Sequence, residues 1–384
     1  MKILFTGGGT GGHLMPIIAV VREIRKLYSK NDLKLYYIGP YDKLGIPLLS
    51  KENLIIHTII SGKIRRYFSR SGFSASQINL ATLLQNITDI FFKIPLGFVQ
   101  SFLLILFINP KLVFSKGGSG SAIVCASAKI LNIPIFLHES DSVPGLSNRI
   151  VSKWARKIFT SFPKTEYFDE LGAIAVGNPI REELLKGDVA KAKEIFNLTS
   201  QKPVILFLGG SQGAEAINEF VLSVLSDILA DYEVIHVSGA RNYIKTQSES
   251  QVVLNLSKDL KIYYHLYESL NEVQLKNAYS ASGLIVSRAG SGSVFEIAAV
   301  GKPSILIPLP SAASDHQSKN AYQYSKTGAA FVIEQENLTH NFFLSKINYL
   351  LSRSKKMTEA ALKFAKPQAS KAITKEILEY LHVY

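Results

Sequence analysis

His13 and Glu296 are the side chains of this 384-residue chain whose surroundings best fit them for chemistry. His13 closes the run Gly7-Gly8-Gly9-Thr10-Gly11-Gly12, and an imidazole with a pKa of about 6.5 exchanges protons at neutral pH. Glu296 closes Ala289-Gly290-Ser291-Gly292-Ser293-Val294-Phe295. In that small, apolar tract a carboxylate can accept hydrogen bonds from two neighbouring hydroxyls. His316 and Gln317 begin a further helical pattern, Asp315 to Ala321, where a sugar could be gripped.

Each of these groups needs a strand before it and a helix after it. Lys2-Ile3-Leu4-Phe5-Thr6 reads as a buried strand, and the apolar positions from Leu14 to Ile24 repeat at helical spacing. A strand that turns through glycines into a helix presents backbone N–H groups to an anion. Gly7, Gly9 and Gly12 also satisfy a dinucleotide fingerprint, which needs a carboxylate at the tip of the second strand to hold a ribose. That strand, Leu33 to Ile38, runs into Gly39-Pro40-Tyr41 without one. A glycine turn that only joins strand to helix is the plainer alternative.

The pattern recurs. Lys111–Ser115 leads into Lys116-Gly117-Gly118-Ser119, Lys202–Leu208 into Gly209-Gly210-Ser211-Gln212-Gly213-Ala214, and Gly283–Arg288 into the Glu296 tract. Further strands are predicted at Asn53–Ile60, Ile133–Glu139, Tyr232–Gly239 and Ser304–Pro310. The one ending in His138-Glu139 runs into Ser140-Asp141; His138 and Glu139 read equally well as packing residues, and no catalytic role is given to them. Alternation of this kind predicts an α/β fold with two Rossmann-like domains, joined through a strand leaving the first sheet at Ala175–Arg181.

Composition sets the outer limits. The length exceeds one ordinary core, so two domains are expected. Hydrophobic content of 47% against 19% charged excludes a disordered chain. Cys125 is the single cysteine, so no intramolecular disulfide forms, which suits a reducing compartment. The chain enters its first strand at once, leaving no signal peptide, and a cytoplasmic location is expected. The net charge of +13 is lopsided: residues 1–180 carry 21 Lys+Arg against 10 Asp+Glu. Nucleic acid, an anionic membrane or a phosphorylated substrate could answer that field. No nucleic-acid motif accompanies it, so a membrane surface ranks first.

Lys63, Arg65, Arg66 and Arg70 alternate with Ile64, Tyr67 and Phe68, and Phe73 follows. Ile87 to Ile108 is then dominated by Phe, Leu and Ile. Its longest uncharged piece, Ile94–Pro110, has 17 residues, short of the about 20 a spanning helix wants. Two readings stand: a buried helix of the domain, or a surface that rests on a membrane beside the basic cluster.

Gly8-Gly9-Thr10-Gly11-Gly12-His13, Gly177-Asn178-Pro179-Ile180-Arg181, Gly209 to Ala214, Ser287-Arg288-Ala289-Gly290 through Glu296, and His316-Gln317 with Asn320-Ala321 stand in the order found in the MurG family. Over about residues 2–335 the chain resembles that family. The resemblance implies a GT-B fold: an N-terminal acceptor domain over 1–178, a C-terminal UDP-sugar domain over 179–355, an active site in the cleft, and a C-terminal helix over 356–384 crossing back. It implies an inverting transfer of GlcNAc from UDP-GlcNAc to the C4 hydroxyl of the muramoyl residue of lipid I, making lipid II, without metal or other cofactor. The setting would be the cytoplasmic face of the cell membrane, held peripherally through an anionic surface, with no nucleic acid involved.

Family donor contacts fall on Thr10, Gly11, Gly12, Arg181, Ser211, Ser291, Gly292, Ser293, Val294, Phe295, Glu296 and Gln317, with His316 beside them. Tyr267 matches the position whose backbone reads the uracil, ahead of an apparent insertion. His13 is the expected base, with an orienting role as the alternative and Asp141 as the second candidate. Two departures stand out: Asp141 replaces the family's asparagine, and Ser119 its aromatic. Another GT-B transferase with a different lipid acceptor, a UDP-GlcNAc epimerase and a non-catalytic binding module are the other readings.

Overall fold

The computed structural model describes residues 1–8, 11–30, 32–43, 45–62, 80–210, 213–310 and 312–383. Thr10, Ser211 and the basic cluster from Lys63 to Arg70 lie outside them. The chain forms two units, Met1–Ile180 with Gln368–Tyr384, and Arg181–Pro367.

The first unit is built on a parallel sheet: β1 (Lys2–Thr6), β2 (Lys34–Pro40), β3 (Ile55–Ile59), β4 (Leu112–Ser115), β5 (Ile135–Glu139), β6 (Lys157–Thr160) and β7 (Ile174–Ala175). Their order in space is β3-β2-β1-β4-β5-β6-β7. Side chains alternate across the sheet. Ile3 and Phe5 pack with Ile17, Val20 and Ile24 of the helix Gly11–Leu27, whereas Leu4 packs with Val124 and Ala128 of the helix Ser119–Ile130. Both faces are covered, so these strands read as continuous apolar runs. The strand expected through Ala175–Arg181 ends at Ala175, and the chain beyond it is irregular.

The second unit repeats the plan with β8 (Val204–Leu208), β9 (Glu233–Val237), β10 (Tyr264–Tyr267), β11 (Ser282–Ser287), β12 (Ser304–Leu306) and β13 (Ala330–Val332), ordered β10-β9-β8-β11-β12-β13. Every pairing among the described strands is parallel. Strand order reverses between β1 and β4 in one unit and between β8 and β11 in the other. Open parallel sheets bind ligands beyond the carboxyl ends of strands at such switch points, and the glycine turns sit there.

Two further expectations need correction. The tail is two helices, Ser354–Phe364 and Ala369–Tyr380. Pro367 between them has no N–H with which to continue a helical ladder. Ser354–Phe364 stays with the second unit, where Phe364 packs on Phe295 and Tyr324. Ala369–Tyr380 lies on Gly11–Leu27 of the first, burying Ile373 and Ile377 in its core.

The second correction concerns Leu84–Ile108, a run of 25 residues long and apolar enough to cross a membrane, whose most apolar 18-residue stretch is only 17% buried. The reading as a buried helix is therefore overturned. One face, with Gly97, Ser101, Ile105 and Ile108, is covered. Gly97 lies against the Ile60 carbonyl, where a Cβ would come within 2.0 Å, and Ser101 is hydrogen-bonded to Ser127 at 2.7 Å. The opposite face exposes Leu96, Val99, Leu103, Leu106 and Phe107, and the π-helical turn Asp89–Lys93 exposes Phe91 and Phe92. Buried Asp89 pairs with Lys93 at 2.5 Å.

Candidate active site

In the second unit the focus is Glu296, one turn into the helix Ser291–Ala299, which follows β11 through Arg288-Ala289-Gly290. The N-cap is Gly290, with no side chain capping the helix, and the first N–H to bond back is that of Val294, to the Gly290 carbonyl at 3.1 Å. Ser291, Gly292 and Ser293 thus supply the backbone donors that a helix start offers an anion. Val294 and Phe295 point into the core and serve packing.

Both Glu296 oxygens are already oriented. Tyr279 donates its hydroxyl to Oε2 at 2.9 Å, and Arg181 Nη2 donates to Oε1 at 3.5 Å. Burial, and then the Glu296 carboxylate, push the Tyr279 phenol well above its ordinary value, so it stays a donor. Arg181 Nη1 also donates to Glu272 at 3.2 Å, while its buried Nε has no hydrogen-bond partner among the described residues. A guanidinium held between two carboxylates with a donor to spare suits a phosphate oxygen.

The neighbouring turn is tied in. Asn320 donates to the Ala289 carbonyl at 3.2 Å, anchoring the helix His316–Ser325 beside the Glu296 turn. Gln317 Oε1 accepts from Leu309 N at 3.1 Å, which directs its amide NH₂ as the donor end; His316 opens the same helix. Tyr267 ends β10, where its carbonyl accepts from Ser238 N at 3.0 Å and its ring packs edge-on against Phe196.

In the first unit the two glycine turns touch. Gly8 N donates to the Gly117 carbonyl at 2.7 Å, and Tyr37 holds the Gly7 carbonyl at 3.0 Å. Gly117 and Gly118 have φ of +88° and +96°. A Cβ on Gly118 would meet the Gly8 Cα at 2.5 Å, so this approach needs glycine twice over. Gly11 and Gly12 begin the following helix, and His13 Nδ1 lies 3.3 Å from the Lys116 carbonyl. A carbonyl only accepts, so in the neutral ring Nδ1 carries the proton and Nε2 is the basic nitrogen.

Behind His13 stands a buried polar cluster. Lys116 is 1% exposed, and its Nζ donates to Ser140, whose hydroxyl reaches Asn178 at 3.3 Å. Glu139 accepts from the Asp141 N–H at 2.9 Å and from Asn148 at 2.7 Å. Burial lowers the Lys116 ammonium, against the pull of Glu139 and Asp141, and raises Glu139. His138 Nε2 bonds the Gly177 carbonyl at 2.9 Å and is kept neutral by burial and then by Lys116. Asp141 stands partly exposed at the edge of this cluster, and Ser119 begins the helix after the second glycine turn. Sequence reasoning passed over Tyr279, Glu272 and Lys116. Only Lys116 carried a signal, as a charge set between a buried strand and glycines.

Two parallel α/β units, each with a glycine-rich switch-point turn, define a GT-B fold. Residues 3–160 match the glycosyltransferase family 28 N-terminal domain and residues 204–376 the glycosyltransferase family 28 C-terminal domain. The chain belongs to glycosyltransferase family 28. It is 34% identical over 357 residues to a UDP-N-acetylglucosamine--N-acetylmuramyl-(pentapeptide) pyrophosphoryl-undecaprenol N-acetylglucosamine transferase of Clostridium tetani (strain Massachusetts / E88), covering 92% of this chain and 91% of the relative. It is 32% identical to the protein of the same name from Clostridium botulinum (strain Hall / ATCC 3502 / NCTC 13319 / Type A), over 99% of both chains. Among solved structures, Acinetobacter baumannii MurG superposes with a TM-score of 0.71 at 23% identity, covering 98% of this chain and 99% of that one. A Neisseria meningitidis UDP-GlcNAc 2-epimerase bound to UDP-GlcNAc gives 0.65 at 15%, over 99% of this chain and 100% of that one. At such identities these two carry the fold alone.

Proposed function

We propose that this enzyme transfers GlcNAc from UDP-GlcNAc to the C4 hydroxyl of the muramoyl residue of an undecaprenyl-pyrophosphate-linked muramoyl-peptide, inverting the anomeric carbon. The observation that carries it is the Glu296 carboxylate, oriented by Tyr279 and Arg181 beside an uncapped helix start, in a chain whose curated relatives bear that activity over nearly its whole length. Glu296 takes the ribose hydroxyls. The Ser291–Ser293 N–H groups and Arg181 offset the pyrophosphate as it leaves, the helix dipole acting where a metal would otherwise be needed. His13 Nε2 accepts the acceptor hydroxyl's proton as oxygen attacks C1, and Asp141 accepts hydrogen bonds from acceptor hydroxyls.

The acceptor's lipid anchor requires the protein to work at a membrane, and the exposed apolar face of Leu84–Ile108 gives the first unit a means of resting there. The test is incubation of purified protein with radiolabelled UDP-GlcNAc and lipid I in mixed micelles. Labelled lipid II with equimolar UDP is expected. UDP-ManNAc formed without acceptor would replace transfer by epimerisation, and donor binding without turnover would leave only a binding module.

A further inference from the structure

The buried ammonium of Lys116 has no part in the chemistry above. A lysine side chain leaves water at a cost of several kcal/mol unless charge and hydrogen bonds answer it. Here three things do. Its Nζ donates to Ser140, the Ser140 hydroxyl is tied on to Asn178, and the carboxylates of Glu139 and Asp141 lie within electrostatic reach. The residue is also held by its backbone: its N–H donates to the Thr6 carbonyl at 2.8 Å, and its own carbonyl receives His13 Nδ1. One residue at the end of β4 therefore sets the tautomer of the expected base and meets the turn that follows β5.

Charge makes the arrangement specific. Glu139 is 3% exposed, and Asp141 comes two residues later with its N–H on the Glu139 carboxylate. Two carboxylates that close, with no cation, would drive one of them to take up a proton. One buried ammonium offsets part of that negative charge. A neutral residue at 116 with an amide at 141 would carry the same net charge. Lys116 and Asp141 thus form a balanced pair, and changing either alone unbalances the site by one unit. Among the described residues, the charged and titratable groups that act on the ammonium are Glu139, Asp141 and His138 from the β5 end, and His13 of the helix Gly11–Leu27 meets the same residue at its carbonyl.

We propose that Lys116 is a positioning residue of the acceptor site, whose buried ammonium offsets the charge of the Asp141 carboxylate that accepts hydrogen bonds from the acceptor's sugar hydroxyls. This rests on the reading of the first unit as the acceptor-binding one.

The experiment is a double-mutant cycle of K116M, D141N and K116M/D141N, varying donor and acceptor separately across pH. K116M should lose about tenfold or more in kcat/KM for the acceptor while the donor KM stays within about twofold, and the double variant should recover most of that loss, a coupling of the size neighbouring charges show. Without the cation Glu139 holds its proton to higher pH, so the acid limb of the K116M profile should move upward and return in the double variant. Independent, multiplying losses, or donor and acceptor KM rising together, overturn the proposal. If K116M does not fold, recovery of soluble, UDP-binding protein in K116M/D141N supports the pairing and failure to recover it overturns it. Wild-type protein that makes no product from the lipid-linked acceptor refutes the assigned function instead. The pairing is then read from melting temperatures, with K116M/D141N above K116M in support and at or below it against.

Discussion

Glu296 is held by two donors of different kinds, and they can be separated. Tyr279→Phe removes one hydrogen bond to a carboxylate without changing the ring that fills the core; such bonds contribute about 1.5–3 kcal/mol. The expected result is a rise in the UDP-GlcNAc KM of about tenfold or more, with the acceptor KM unmoved. Glu296→Ala, which removes the ribose contact itself, should cost at least as much in donor kcat/KM. Donor kinetics unchanged in either variant would remove this carboxylate from the donor site. A second residue-scale expectation concerns pH. His236 is 1% exposed, bonded to Asn218 at 3.0 Å and Tyr264 at 2.8 Å, and burial pushes its pKa down to about 3. The unfolded chain protonates this ring near the ordinary value, so between there and about pH 3 the unfolded state binds the extra proton and stability falls as pH falls. Above the ordinary value both states are neutral and the term vanishes. Urea midpoints followed from pH 7 to pH 4.5 should fall less steeply in His236→Asn than in wild type; parallel slopes would place the acid sensitivity elsewhere.

At the level of elements, the strand–glycine–helix repeats were legible because buried parallel strands are unbroken apolar runs and the glycines answer to close backbone contacts such as Gly8 with Gly117. The Tyr279 partner of Glu296 was not. Tyr279 lies in the preceding helix, Glu272–Ala281, and reaches Glu296 only after β11 has been threaded into the sheet. The Ile87–Ile108 run was ambiguous for a different reason. An apolar stretch of that length reads alike whether its outer side meets protein or lipid, and the sequence does not say which. Lipid contact gives a prediction. Phe91, Phe92 and Phe107 are 68%, 63% and 81% exposed, and changing all three to Ser should reduce binding to anionic vesicles by at least about tenfold, since each ring removed from the interface forfeits up to about 1.5–3 kcal/mol. The loss should persist in high salt, where cation contributions are screened. Co-sedimentation that the triple change leaves untouched would exclude this face as the docking surface.

On the scale of the whole chain, the last helix belongs to the first unit although its nearest sequence neighbours belong to the second. The apolar pattern of the tail announced helix, but nothing in it says which core receives the apolar side, since that depends on where the chain leaves the second unit. Ile373 and Ile377 are fully buried among Ile3, Ile17, Val20 and Phe136, Tyr380 stacks edge-on against Phe136 at 5.3 Å, and Lys157 pairs with Glu376. Ser354–Phe364, by contrast, is fastened to the second unit through Thr358 on the Gly301 carbonyl at 2.8 Å. A chain ending at Pro367 would keep that helix and lose only the one covering Gly11–Leu27. Each large apolar side chain returned to water costs about 1.5–3 kcal/mol, so losing Ile373, Ile377 and Leu378 removes several kcal/mol, comparable to the roughly 5–15 kcal/mol that holds a whole domain. The truncated protein should therefore show two calorimetric transitions: an early one for the first unit, shifted down by at least about 10 °C, and a later one near the wild-type position for the second. UDP binding should persist through the first transition and vanish with the second, while transfer is lost at the first. A single transition shared by both units, or loss of UDP binding at the lower temperature, would mean that the two cores do not unfold independently and that the last helix stabilises more than the sheet it covers.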